Sequence, residues 1–183
     1  MIMIFLLELL IGTALAGAMI YCFFRVNESN ISVFEKLCRN KIAGLAIGLP
    51  SALLCVPLAL PVSPVFLVPW LYPAAIVLPI LCYYQIDSYA ARSYAFFLIL
   101  LAYDIVHGAF DNHLPGAPVL TILALLMGIA GIWLSAKPCL MRDIFRKCAA
   151  SKKWKYTLMS LFAAMTLLPL YTLIMLIIGV YVK

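Results

Sequence analysis

The feature that most constrains this chain is a series of unbroken apolar runs, each about as long as a bilayer is thick and each ended by a short polar break. A hydrocarbon core about 30 Å deep takes about 20 apolar residues per helix, and a spanning segment there must satisfy its own backbone hydrogen bonds. Six segments fit: 2–24, 42–60, 64–84, 93–111, 117–136 and 157–182. Only 11% of the 183 residues are charged, against about 25% in a soluble domain. The expected fold is an all-α integral membrane protein, a single six-helix transmembrane domain over 1–183. Almost nothing remains for a soluble domain, and no Walker loop, paired CxxC, Gly/Ser linker or long charge run is present.

The first run, "MIMIFLLELL", has no Lys or Arg ahead of it, although Ala14 and Ala16 would suit a cleavage site. Signal peptides begin with a basic region, so this segment reads as retained. Orientation follows from the basic residues. Arg25, Lys36, Arg39 and Lys41 follow the first span, Arg92 the third, and Lys137, Arg142, Arg146, Lys147, Lys152, Lys153 and Lys155 the fifth, leaving Lys183 on the other side. The positive-inside rule then puts those three connections in the cytoplasm and both termini outside, as in a bacterial inner membrane. The net charge of +6 marks topology and anionic lipid, not nucleic acid. No cysteine falls on an outer connection, where oxidation would favour pairing.

Two cytoplasmic connections read as short interfacial helices. In "NISVFEKLCRN", Ser32 and Glu35 have capping-box spacing, and Ile31, Phe34, Leu37 and Cys38 share a face. In "KPCLMRDIFRKCAASKKWK", Leu140, Met141, Ile144, Phe145 and Cys148 form a stripe. Arg142, Arg146, Lys147, Lys152, Lys153 and Lys155 are the lipid-headgroup candidates there, each worth about 1 kcal/mol near an anionic surface.

Seven prolines, Pro50, Pro57, Pro61, Pro64, Pro69, Pro73 and Pro79, crowd spans 2 and 3. They predict kinked helices packed on protein or a wet cavity, an arrangement that transporters use around a substrate site. "GTALAGA" offers two small-xxx-small pairs, Gly12 with Ala16 and Ala14 with Ala18. Such pairs suit close helix packing inside the bundle or against a protein partner.

The stretch "YDIVHGAFDNH" holds both histidines and two of the seven acidic residues. Asp104, His107 and Asp111 are spaced i, i+3 and i+7, within roughly a 60° arc of one helix face. His113 follows in the outer turn, and Glu8 in span 1 is the distant acid able to join them. Carboxylate and imidazole together suit a proton relay, a polar substrate or a divalent metal. A metal is the least favoured, because one segment rarely closes a coordination shell. The same groups also suit a plain role, reaching water near the outer interface. Since polar groups avoid acyl chains, Asp104 and His107 are expected to turn into the bundle.

"DSYAAR", residues 87–92, resembles part of the CDP-alcohol phosphotransferase signature. Tyr84, Leu101, Ile105 and Ala109 occupy that signature's remaining aspartate and glycine positions, which rejects the assignment. In size and helix number the chain looks like the substrate-binding subunits of energy-coupling-factor vitamin transporters, and "ALAGA" is similar to their AxxxA pattern. That family has both termini in the cytoplasm, against the charge count here. Three functions stay open: a small transport or substrate-binding subunit, an enzyme acting on a lipid-linked substrate at the outer face, and an accessory protein docking a partner through its basic helices. No nucleophile stands beside a base at helical spacing, which lowers the second. No cofactor, catalytic set or metal is assigned.

Overall fold

The computed structural model describes residues 2–111 and 117–182, with eight α-helices and no strand among them. Helix α1 is Ile2–Arg25, and a 3-10 turn, Glu28–Asn30, leads into α2, Ile31–Arg39. Then come α3 (Lys41–Ala59), α4 (Val68–Gln85), α5 (Tyr89–Asp111), α6 (Ala117–Ala136), α7 (Cys139–Ala150) and α8 (Lys152–Val182). Helices α3 to α6 are each long and apolar enough to cross a membrane, and the pair Leu10–Arg25 with Glu28–Arg39, bent by 113°, raises that number among the described residues from four to five when it is counted as one span. At 31 residues α8 is about 46 Å long, longer than a hydrocarbon core is thick.

Several helices outrun their apolar segments. Helix α8 begins at Lys152, not at 157, and α5 at Tyr89, not at 93. Lysine and alanine are good helix formers, so the polar turn beside each span stays helical while its charges reach water. At α4 the difference is reversed. Pro64 heads a turn in which the Leu67 amide donates to the Pro64 carbonyl at 2.9 Å, and the helix starts only at Val68. Both α3 and α4 continue through their internal prolines, Pro50 and Pro57 in the first and Pro73 and Pro79 in the second.

The core is built around α5, which is buried along most of its length from Tyr89 to Ala109. Helices α6 and α3 lie along two of its sides, α1 pairs with α8 and also touches α5, and α4 packs mainly on α3. Small residues set the spacing. Gly44 and Gly48 let α3 approach the start of α5, where a side chain on either would strike Tyr89, Ala90 or Ser93. The Tyr89 hydroxyl donates to the Pro79 carbonyl at 3.1 Å, tying α4 to the same seam. Gly12 and Ala16 are buried, with Gly12 against Leu101 of α5, whereas Ala14 and Ala18 face outward. One of the two small-residue pairs therefore serves packing within the chain.

Helices α2 and α7 pack against each other at one end of the bundle. Phe145 stands at the centre, its ring 5.6 Å from Phe34 and 5.2 Å from Phe23, which is in turn 5.0 Å from Phe162 of α8. Cys38, Met141 and Cys148 are buried around it. The capping-box expectation is corrected here. Ile31 opens α2 after Asn30, which makes no side-chain cap, so Ser32 falls inside the first turn, and Glu35 instead accepts from Arg146 Nε at 2.6 Å. The cap that does form belongs to Asn40, whose Oδ1 accepts from the Ile42 and Ala43 amides at the start of α3.

Candidate functional site

The polar stripe of α5 divides along its length. Asp104 is buried, 3% exposed, while His107 and Asp111 are exposed. A stripe of this width straddles the border between the packed and open sides of the helix, so its members part company. The expectation that Asp104 and His107 both turn inward holds for Asp104 and fails for His107. The imidazole leans back along its own helix, with Nδ1 3.1 Å from the Tyr103 carbonyl and the ring centroid 3.9 Å from that of Tyr103. The contact is local and needs no second span, which is why helix-face reasoning did not find it. A neutral imidazole in this position carries its proton on Nδ1 and leaves Nε2 basic.

Beside Asp104 the lining of Leu54, Phe97, Leu100 and Leu101 leaves no room for a water-sized guest. Glu8 lies in α1 and its side chain is outside the described ones, as is the whole of His113. Among the described residues no three His, Cys, Asp or Glu side chains gather as metal ligands would.

The roomier space is elsewhere. A cavity of about 140 Å³ lies between α1 and α3, which each rest on α5 and make little contact with one another. Leu15, Ala18, Met19 and Cys22 of α1 form one wall, and Ala43 and Ile47 of α3 the other. Ala90, Ala91 and Tyr94 of α5 make the floor, and Leu37, Cys38, Met141 and Phe145 close the end toward the α2–α7 cap. Ala18 and Leu37 are exposed, so the cleft reaches the surface. Its lining is almost wholly apolar. Tyr94 is 4% exposed, and its hydroxyl has no hydrogen-bond partner among the described residues. In the sequence the one sign of this cleft is its alanines, and they mark a recess only once α1, α3 and α5 are known to be neighbours.

No known protein family, curated protein or solved structure matches this chain. The chemistry of the site is therefore read from its own residues.

The cap is basic, and half of its six candidate charges are committed within the chain. Arg146 donates to Glu35 and holds that carboxyl below the usual carboxylate range, with Arg142 and Arg39 adding to the effect. The bridge is partly exposed, 52% for the Arg146 side chain and 27% for Glu35, so it adds little stability and weakens in salt. Lys155 donates to the Val26 carbonyl at 3.0 Å, and Lys147 lies 5.4 Å over the Trp154 ring. Lys152 and Lys153 are exposed, while Arg142 is half-buried and its Nε has no partner among the described residues. Of the six headgroup candidates, then, Arg146, Lys155 and Lys147 have partners within the chain. Burial pushes the Cys38 thiol up to about 11 and raises that of Cys148 as well.

Proposed function

We propose that this is a six-span inner-membrane protein with both termini outside, and that it serves as a substrate-binding subunit of the transport class. Its substrate is an apolar or amphipathic molecule drawn sideways from the bilayer into the α1–α3 cleft. The cleft carries this reading. It is an apolar recess of about 140 Å³, and it reaches the surface beside Ala18. A dry apolar cavity of about 150 Å³ is large enough to hold benzene, and binding there removes apolar surface from water or from loosely packed lipid.

The test is labelling of the full chain, in nanodiscs, with a photoactivatable phospholipid carrying a diazirine on its acyl chain. Label should concentrate on the segments 15–22 and 43–47, and Ala18→Phe, which fills the mouth from an exposed position, should reduce it several-fold without changing the melting temperature. Label spread evenly over all outward helix faces would sink the proposal.

Orientation is tested separately. Of the three cysteines on the basic side, Cys139 is exposed while Cys38 and Cys148 are buried, so Cys139 is the reporter. A membrane-impermeant maleimide should fail to label it in intact cells and succeed after permeabilisation. Labelling in intact cells would reverse the topology.

One observation favours a second reading, an enzyme acting at the outer face. His107 is exposed near the end of α5, and its contact with the Tyr103 carbonyl leaves Nε2 available as a base.

A further inference from the structure

Taking that binding role as given, we infer that the cleft selects an anionic phospholipid: one acyl chain lies between α1 and α3, an ester carbonyl meets Tyr94, and the phosphate is held at Arg25. Three independent observations converge on a molecule of this shape. The first is the recess itself, apolar, about 140 Å³ and open at the bundle's edge, which suits the upper part of a hydrocarbon chain and nothing charged. The second is Tyr94. A hydroxyl buried without a partner forfeits the hydrogen bond it would make in water. The Tyr94 ring forms part of the cleft floor while its hydroxyl lies just behind that wall, so a turn of the ring toward an ester carbonyl in the cleft would restore the bond.

The third is the position of Arg25. It stands seven residues beyond Ala18 on α1, which brings it back to within about 20° of the same face and about 10 Å toward the basic end of the bundle. Ala18 lines the cleft, so Arg25 lies below its mouth. The guanidinium is exposed and already steadied, with Nε donating to the Tyr21 hydroxyl at 3.1 Å. The order along α1 matches the order of groups in the lipid. Arg25 would take the phosphate, the level of Cys22 and Tyr94 the ester, and Ala18 and Leu15 the chain. Lys41 does not compete for this place, because its Nζ is turned toward α4, 3.5 Å from the Tyr84 carbonyl.

The experiment compares diazirine-bearing phosphatidylglycerol with phosphatidylcholine of identical chains, at equal mole fraction in nanodiscs holding the full-length protein. Phosphatidylglycerol should label residues 15–22 about fivefold more than phosphatidylcholine, the advantage expected of one basic group at a membrane surface. Arg25→Gln should lower labelling by both lipids, since both carry the phosphate. The anionic one should fall about fivefold further than phosphatidylcholine, whose choline already offsets that charge, so that the two end at the same level. Tyr94→Phe should lower labelling by both, since both carry the ester. Equal labelling of the cleft by the two lipids would overturn the anionic preference while leaving the cleft as a binding site. Failure of both lipids to label the cleft would overturn the binding role too. A preference that survives Arg25→Gln would remove Arg25 from the proposal. Melting temperatures of the variants, matched to the parent, exclude misfolding as the cause.

Discussion

Gly44→Val is expected to cost more stability than any other single substitution considered, because it pushes a side chain into backbone. A Cβ at residue 44 would lie 2.8 Å from the Ala90 nitrogen and 2.8 Å from the Tyr89 carbonyl carbon, with the Tyr89 ring at 2.6 Å. A ring can swing away, but the backbone of α5 cannot, so α3 would have to lift off the helix at the centre of the core. Helix α4 would go with it, since it packs mainly on α3 and is tied to α5 through the Tyr89 to Pro79 bond. Gly48, one turn on, is a milder case, because a Cβ there meets the Tyr89 and Ser93 hydroxyls. Gly48→Ala should therefore stay within the about 1–3 kcal/mol usual for overpacking, and Gly44→Val should exceed it. In a chain of this size a loss of about 3 kcal/mol lowers the melting temperature by about 10 °C. Thermal unfolding in detergent should show at least that drop for Gly44→Val, or too little folded protein to measure. A parent-like melting curve would mean that α3 and α5 do not meet at Gly44.

The membrane character of the chain and the positions of its helices were legible because the bilayer imposes one length on every span, and a run of about 20 apolar residues can do little else. The two short helices were legible for a similar reason, from the periodicity of Phe34 with Cys38 and of Met141 with Phe145. What each face would meet was not. The stripe containing Phe145 reads only as the apolar face of an interfacial helix, and its partners there are Phe23 and Phe34. A period of 3.6 residues identifies an apolar face but cannot distinguish lipid from protein as its cover. Glu35 illustrates the same limit, since its capping-box spacing is local while its partner, Arg146, lies 111 residues away. At the candidate site the composition of "YDIVHGAFDNH" drew attention to the C-terminal end of α5, and Asp104 is buried there. The cleft lay beyond sequence reading, because it is formed by a gap between two helices that do not follow one another in the chain.

Phe145→Ala is expected to open the cap. The ring is fully buried and contacts both Phe23 of α1 and Phe34 of α2, and deleting a buried phenylalanine side chain typically costs about 3–5 kcal/mol. Aromatic pairing adds to that loss. The buried Cys38, Met141 and Cys148 pack around the same ring and would lose their contacts with it, while the Glu35 to Arg146 bridge is partly exposed and surface bridges contribute weakly. Cys38 reports the event. In the closed cap, burial lifts its thiol from 9.0 to about 11, which lowers the reactive thiolate fraction at pH 8 about a hundredfold, in addition to hiding the sulfur. Phe145→Ala should therefore raise the rate of Cys38 alkylation at pH 8 by about two orders of magnitude, while exposed Cys139 reacts as before. The pH dependence has a definite sign. Above pH 9 the unfolded chain has lost a proton that the closed cap still holds, so the contribution of Cys38 to stability is complete below pH 9 and disappears as the pH rises to about 11. Alkylation of Cys38 in the parent should accordingly climb through that window. If Phe145→Ala leaves the Cys38 rate unchanged, the cap is not held by the aromatic cluster, and the end wall of the cleft, to which Leu37, Cys38, Met141 and Phe145 belong, is not fixed by it either.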